Sequence, residues 1–270
     1  MQVGLIGCGS MACALARGWA RPVLCADPIA GRARALAAET GGEALATNAQ
    51  VAERAELVVL CHKPAQLEEV AREIAPFARA VASILAATPL AALKAAYQAR
   101  PVYRFMPSLP VEVRQGAVVQ AADIPASPGP TDEEAGEGEG AHARSDASLD
   151  EKVRDLFAEL GSLVVLSDEL LDAAMGLMSC GPAYVALVAE AQVDAGVRRG
   201  IPARQGAELI VQTLSGTAEL LRKRDYDTLA VRREVTSPGG VTARGLAALE
   251  RAGLRSAFSD ALDAVLGSAA

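Results

Sequence analysis

Up to Ser167, short apolar runs alternate with longer stretches in which apolar positions recur every three or four residues. Residues 3–6, 23–26, 57–61, 80–85, 102–105, 116–120 and 163–166 read as strands. Leu57-Val58-Val59-Leu60-Cys61 is apolar at every position, the pattern of a strand covered on both faces of a parallel sheet. The stretches beginning at Ala14 and Ala30, and those over 65–74, 89–97 and 149–160, read as the intervening helices. Strands that alternate with helices predict an α/β, doubly wound sheet.

From Asp168 onward the period is helical throughout. Residues 182–199 carry Ala183, Tyr184, Val185, Leu187, Val188, Ala191 and Val193 around most of a helix surface. A helix apolar nearly all round has to be covered on all sides, and a second copy of the chain is the simplest cover for so small a helical region. The chain breaks at Gly200-Ile201-Pro202 and resumes helically over 203–224 and 243–250. The expected organisation is a sheet domain, 1–167, followed by an all-α domain, 168–270, that joins copies into a homodimer or a larger homo-oligomer.

Composition narrows the picture. The net charge is −7, yet residues 121–147 hold seven acids against the single Arg144. That stretch, with three Pro and four Gly, has too little apolar content to offset the entropy of ordering and is expected to be a flexible acidic insertion. The remainder is close to neutral, with no basic field for nucleic acid. Five cysteines show no C-x-x-C pair, and with only His62 and His142 beside them no metal site is expected; they read as reduced thiols. No uninterrupted apolar run approaches the ~18 residues of a membrane span, and no basic, apolar leader precedes the first strand. The expectation is a cytoplasmic protein that takes a small-molecule substrate and meets neither nucleic acid nor membrane.

The candidate chemistry starts at the first strand. Gly7-Cys8-Gly9-Ser10-Met11-Ala12 is G-x-G-x-x-A between a strand and a helix, the context that a dinucleotide fingerprint requires. Gly7 allows the tight turn, Gly9 lets a pyrophosphate approach the backbone, and Ala12 lets helix and strand pack closely. The free N–H groups and the dipole of the helix start then hold the phosphates, with Ser10 and Met11 at that start. Asp27 ends the second strand, where an acid bonds a ribose 2′-OH; it is equally placed to cap the following helix, and Arg32 or Arg34 is placed to meet a 2′-phosphate. His62 and Lys63, followed by Pro64, end the third strand and flank the same crevice, although a lysine there also suits a solvated loop. Val235-Thr236-Ser237-Pro238-Gly239-Gly240-Val241-Thr242 leads small, rigid residues into a helix. Its exposed N–H groups make a carboxylate site, with a helix–helix turn capped by Thr242 as the structural alternative.

With these motifs in place, the chain resembles the pyrroline-5-carboxylate reductase family along nearly its whole length. The resemblance rests on Gly7 to Ala12, Lys63-Pro64, Arg104 to Pro110, Gly181-Pro182-Ala183-Tyr184, Asp194-Ala195-Gly196 and above all 235–242, the most specific of them. It implies a Rossmann-type sheet domain followed by a helical dimerisation domain, and reduction of 1-pyrroline-5-carboxylate to L-proline, the last step of proline synthesis, by NADPH or NADH. It further implies that Gly239, Gly240 and Val241, with Ser237, hold the substrate carboxylate. Thr242 matches the threonine that hydrogen-bonds the ring nitrogen. Ala86, Ala87 and Ser108 fall where the family lines the cofactor.

This chain departs from the family at several of these places. Ser108-Leu109 replaces Asn-Thr, Cys61-His62 replaces Ala-Val, Ala65 replaces Gln, Ala87 replaces a glycine, and Met178-Ser179-Cys180 precedes Gly181 in place of Ser-Gly-Ser. Two other functions fit the altered crevice, a reductase of a related cyclic imine and a non-catalytic NAD(P)-binding paralogue. A 3-hydroxyacid dehydrogenase, which needs a lysine on the long helix, is disfavoured because only Lys152 and Lys223 follow the insertion.

Overall fold

The chain divides into two units, Met1–Cys180 and Gly181–Ala270, and the computed structural model describes residues 1–122 and 141–267. The first unit runs β1 (Val3–Ile6), α1 (Ser10–Trp19), β2 (Leu24–Ala26), α2 (Ala30–Thr40), β3 (Glu43–Ala44), α3 (Asn48–Arg54) and β4 (Leu57–Leu60). It continues through α4 (Leu67–Ile74), β5 (Val81–Ser83), α5 (Leu90–Ala96), β6 (Val102–Pro107), β7 (Gly116–Ala122), α6 (Ala141–Ala158), β8 (Gly161–Ser167) and the short α7 (Leu171–Ala174). One eight-stranded sheet results, in the order β3-β2-β1-β4-β5-β6-β7-β8. Every pairing is parallel except β6 with β7, where Phe105 faces Gln120. The order reverses at β1, between β2 and β4, which in an open sheet opens a ligand crevice at the carboxyl ends of those strands.

The apolar strands behave as their composition demands. All four residues of β4 and those of β1 are buried. Three of the nine aromatic side chains meet where α1 and α6 cover the sheet: Phe105 stacks on Phe157 at 3.8 Å, and Trp19 meets Phe157 edge-on at 5.6 Å. The Trp19 indole N–H donates to the Leu156 carbonyl at 2.8 Å, so its one polar atom is satisfied inside the core.

Two elements lie outside the expected pattern. The strand β3 is two residues long with Glu43 exposed, so no apolar run announces it. Helix α3 starts at a Thr47 cap, whose hydroxyl accepts from the Gln50 N–H at 3.2 Å. Within the expected insertion 121–147, Ala121 and Ala122 belong to β7 and residues 141–147 open α6; the rest, 123–140, lies outside the described residues.

Arg104 holds the end of this unit together. It is 2% exposed; its guanidinium bonds the Asp168 carboxylate at 2.7 Å and that of Asp172 at 3.2 Å, while the other Asp168 oxygen accepts from the Leu90 N–H at 2.8 Å. One buried cation thus ties β6 to the starts of α5 and α7. A π-helical turn, Met175–Ser179, follows, and the Ser179 hydroxyl donates to the Pro107 carbonyl at 3.3 Å.

Among the described residues the second unit is built of helices alone, α8 (Gly181–Val197), α9 (Ala203–Lys223), α10 (Thr228–Glu234), α11 (Val241–Arg251) and α12 (Leu254–Leu266). Val185, Leu187, Leu209 and Val211 are exposed on α8 and α9. The run Asp168–Val197 is, by length and composition, apolar enough to cross a membrane, against the expectation that no such run exists. The expectation looked for unbroken apolar residues, whereas small and weakly polar ones leave the chain without a charge between Asp172 and Glu190.

Candidate active site

In the first unit, a groove of about 910 Å³ opens over the ends of β1, β2 and β4. Its floor is the glycine turn. Gly7 adopts φ +92°, and a Cβ there would lie 2.8 Å from the Cys61 carbonyl oxygen, so no other residue fits. A Cβ at Gly9 would instead meet nothing within 4 Å; the space beside Gly9 is open groove. Gly9 caps α1 without a side-chain bond, which leaves the N–H groups of the first turn, Ser10 and Met11 among them, without helix partners. An open cradle lined by free N–H groups fits a dinucleotide pyrophosphate.

Asp27 braces this turn. One carboxylate oxygen accepts the Cys8 N–H at 2.8 Å and the other accepts the Ile29 N–H at 2.8 Å. The cap residue of α2 is Ile29, so Asp27 shapes the turn that precedes the helix. Three cations reach the groove. Arg17 is ion-paired with Glu39 and, at 3.1 Å, with Glu112. Arg32 and Lys63 line the groove with no ion pair among the described residues, and Arg34 is not part of its wall. His62 turns its Nδ1 to the Lys63 carbonyl at 2.9 Å, and its Nε2 is buried without a partner among the described residues. Burial pushes the imidazole below its ordinary pKa, opposed by that carbonyl, so the ring is neutral at pH 7. The Cys61 thiol beside it is raised by burial and stays protonated.

Four expected cofactor residues lie outside the groove wall: Pro64, Ala86, Ala87 and Ser108. Pro64 opens a 3₁₀ turn that Lys63 caps. Ser108 is 3% exposed, and its hydroxyl accepts the Ala117 N–H at 2.9 Å, so it works inside the sheet. Ala87 adopts φ +51°, the left-handed conformation that suits glycine; the backbone has kept a shape for which the side chain is not ideal. Conversely, Arg17, Cys13, Gln66 and Glu112 line the groove without having been singled out from sequence. Arg17 was findable, lying two helical turns after Ser10 on one face; Glu112 arrives from a distant element and leaves no local signal.

The second unit carries a candidate site of its own. Ser237-Pro238-Gly239-Gly240 is a β-turn in which the Gly240 N–H donates to the Ser237 carbonyl at 3.0 Å. Gly239 sits at φ +69°, giving the proline-then-glycine arrangement of a type II turn. A Cβ at Gly240 would lie 2.3 Å from the Ser237 hydroxyl oxygen. Gly240 therefore shapes the turn and, its N–H being engaged, does not offer the donor expected of it. Gly240 is also the cap residue of α11, with no side-chain cap, which excludes Thr242 as the cap. The N–H groups of Val241, Thr242 and Ala243 have no helix partner. Thr242 stands in the first turn, half-buried, and its hydroxyl makes no hydrogen bond among the described residues.

A sheet of this order with a pyrophosphate cradle, followed by a helical unit that presents free N–H groups beside an unengaged hydroxyl, defines a class: the dinucleotide-dependent oxidoreductases with a Rossmann-type domain. Residues 2–87 match the family model described as NADP oxidoreductase coenzyme F420-dependent, and residues 168–270 match that described as pyrroline-5-carboxylate reductase dimerisation. The chain is 35% identical to a pyrroline-5-carboxylate reductase of Thermus thermophilus, over 98% of this chain and 95% of that one. It is 33% identical, over the same shares, to the enzyme of that name from Synechocystis. A Streptococcus pyogenes 1-pyrroline-5-carboxylate reductase structure superposes with a TM-score of 0.81 at 27% identity, over 99% of this chain and 97% of that one. The chain belongs to the pyrroline-5-carboxylate reductase family.

Proposed function

We propose that this protein reduces 1-pyrroline-5-carboxylate to L-proline with NAD(P)H. The observation that carries the reading is the unengaged Thr242 hydroxyl beside the free N–H groups of the α11 start. The substrate is a cyclic imine bearing a carboxylate. The N–H groups of Val241 and Thr242, with the positive end of the helix, bind that carboxylate, and Ser237, Gly239 and Gly240 give the turn its shape. The imine nitrogen enters protonated, and its N–H donates to the Thr242 hydroxyl. When bound, NAD(P)H supplies the hydride to the imine carbon. The C=N bond becomes C–N, the nitrogen keeps its proton, and no acid of the protein has to ionise. The chain's contribution is position.

In the other unit, Gly7, Gly9, Ser10 and Met11 cradle the pyrophosphate, Asp27 braces the turn and faces the adenosine ribose, and His62 and Lys63 line the groove, with Pro64 opening the turn that follows Lys63. Ala86, Ala87 and Ser108 lie outside the groove wall, and the family resemblance is what supports a place for them at the nicotinamide end. The apolar run Asp168–Val197 overlaps the match to the dimerisation model, which supports burial against a second copy in a homodimer. We take 1–167 as the cofactor domain and 168–270 as the dimerisation and substrate domain. The test is turnover of pyrroline-5-carboxylate by the purified protein with NADH and NADPH in parallel. Oxidation of either is expected, and none with either cofactor refutes the reading.

A further inference from the structure

We infer that Arg244 is a specificity-determining residue that makes this site select carboxylate-bearing imines; the inference rests on the reading of the α11 start as the substrate site. Arg244 lies in the second turn of α11, and its side chain runs back along the helix to donate from Nη1 to the Gly239 carbonyl at 2.9 Å. A guanidinium is thereby held at the end of the helix that already carries positive potential. Such a placement is unfavourable, because cations stabilise the opposite end.

The usual compensation would be an acid, and the surrounding sequence supplies none. No Asp or Glu occurs between Glu234 and Glu250, and the first turn of α11 has no acidic residue. The two flanking acids are engaged elsewhere, Glu234 with Arg224 at 2.7 Å and Glu250 with Arg255 at 2.9 Å. Arg244 forms no ion pair among the described residues. A guanidinium has five N–H donors, of which the structure engages one. An exposed cation tethered to the turn, with no ion pair among the described residues and beside free N–H groups, is arranged for an anion that arrives from outside. In the proposed reaction that anion is the substrate carboxylate, which a guanidinium recognises through charge-assisted, directional bonds. The turn fixes where the carboxylate sits; Arg244 makes its charge matter.

The test compares two imines, pyrroline-5-carboxylate and 1-pyrroline, which lacks the carboxylate. In Arg244→Met the ratio of kcat/KM for the first over the second falls about tenfold, the effect of losing one charge-assisted bond at a partly hydrated site, and Arg244→Lys recovers part of it. A readout free of turnover is the thermal shift produced by L-proline, which shrinks in Arg244→Met while the unliganded melting temperature holds or rises. An unchanged ratio, or a lowered unliganded melting temperature with the proline shift intact, overturns the role of Arg244 alone. A wild-type protein inert toward both imines overturns the underlying reading, and this inference with it.

Discussion

Thr242→Val isolates the reaction from the fold. Valine has the shape and branching of threonine, so the exchange removes one hydroxyl and little else. Gly240, not Thr242, is the cap residue of α11, so the ~1 kcal/mol that follows loss of a capping hydroxyl does not apply. The hydroxyl has no partner to abandon among the described residues, and stability should change by less than about 0.5 kcal/mol. Its bond to the protonated imine nitrogen is made only with substrate bound and holds the imine carbon toward the hydride donor. Such a bond to a charged group is worth roughly 1–3 kcal/mol, hence about ten- to hundredfold in kcat/KM. The assay is steady-state oxidation of NADH and NADPH against pyrroline-5-carboxylate, with melting temperature and light scattering as controls. Full turnover in a folded variant would leave Thr242 without a part in the chemistry. A large loss of stability would contradict the assignment of the cap to Gly240.

Three further outcomes follow from the geometry. Gly9→Val should fold normally, because a Cβ there meets nothing within 4 Å, yet it fills the cradle; calorimetry should find NAD(P)H binding lost, and retained affinity would relocate the phosphate site. Arg104→Met removes a cation that is 2% exposed from two carboxylates. Because Asp172 is half-exposed and can hydrate, the cost should be about 2 kcal/mol, below the 3–5 kcal/mol of a fully buried pair, measured by urea denaturation. A glycine in place of an ordinary loop alanine costs about 0.4–1 kcal/mol through the unfolded chain. Ala87→Gly should instead be neutral or stabilising by up to ~1 kcal/mol, since the φ of +51° strains alanine; a clear loss of stability would refute that strain.

Much of this protein is legible along the chain. The apolar 57–61 run, G-x-G-x-x-A after a strand, and Pro-Gly-Gly before a helix are local statements, and each local preference agrees with the fold that results. Short or capped elements escaped: β3 has two residues, and α3 is announced chiefly by Thr47. What only the tertiary structure decided are the partnerships. Asp27 reads along the chain as ribose ligand or helix cap, and only the fold brings the Cys8 N–H, nineteen positions away, onto its carboxylate. Only the antiparallel return of β7 brings the Ala117 N–H onto the Ser108 hydroxyl. Arg104 finds Asp168 and Asp172 more than sixty positions away, and Arg244 is singular only because Glu234 and Glu250 are engaged elsewhere. The reason is physical. Propensity, periodicity and turn chemistry act over a few bonds, so one stretch of chain displays them. Hydrogen bonds and ion pairs act over about 3 Å of space, and which groups come that close is set by the packing of the whole sheet and its helices.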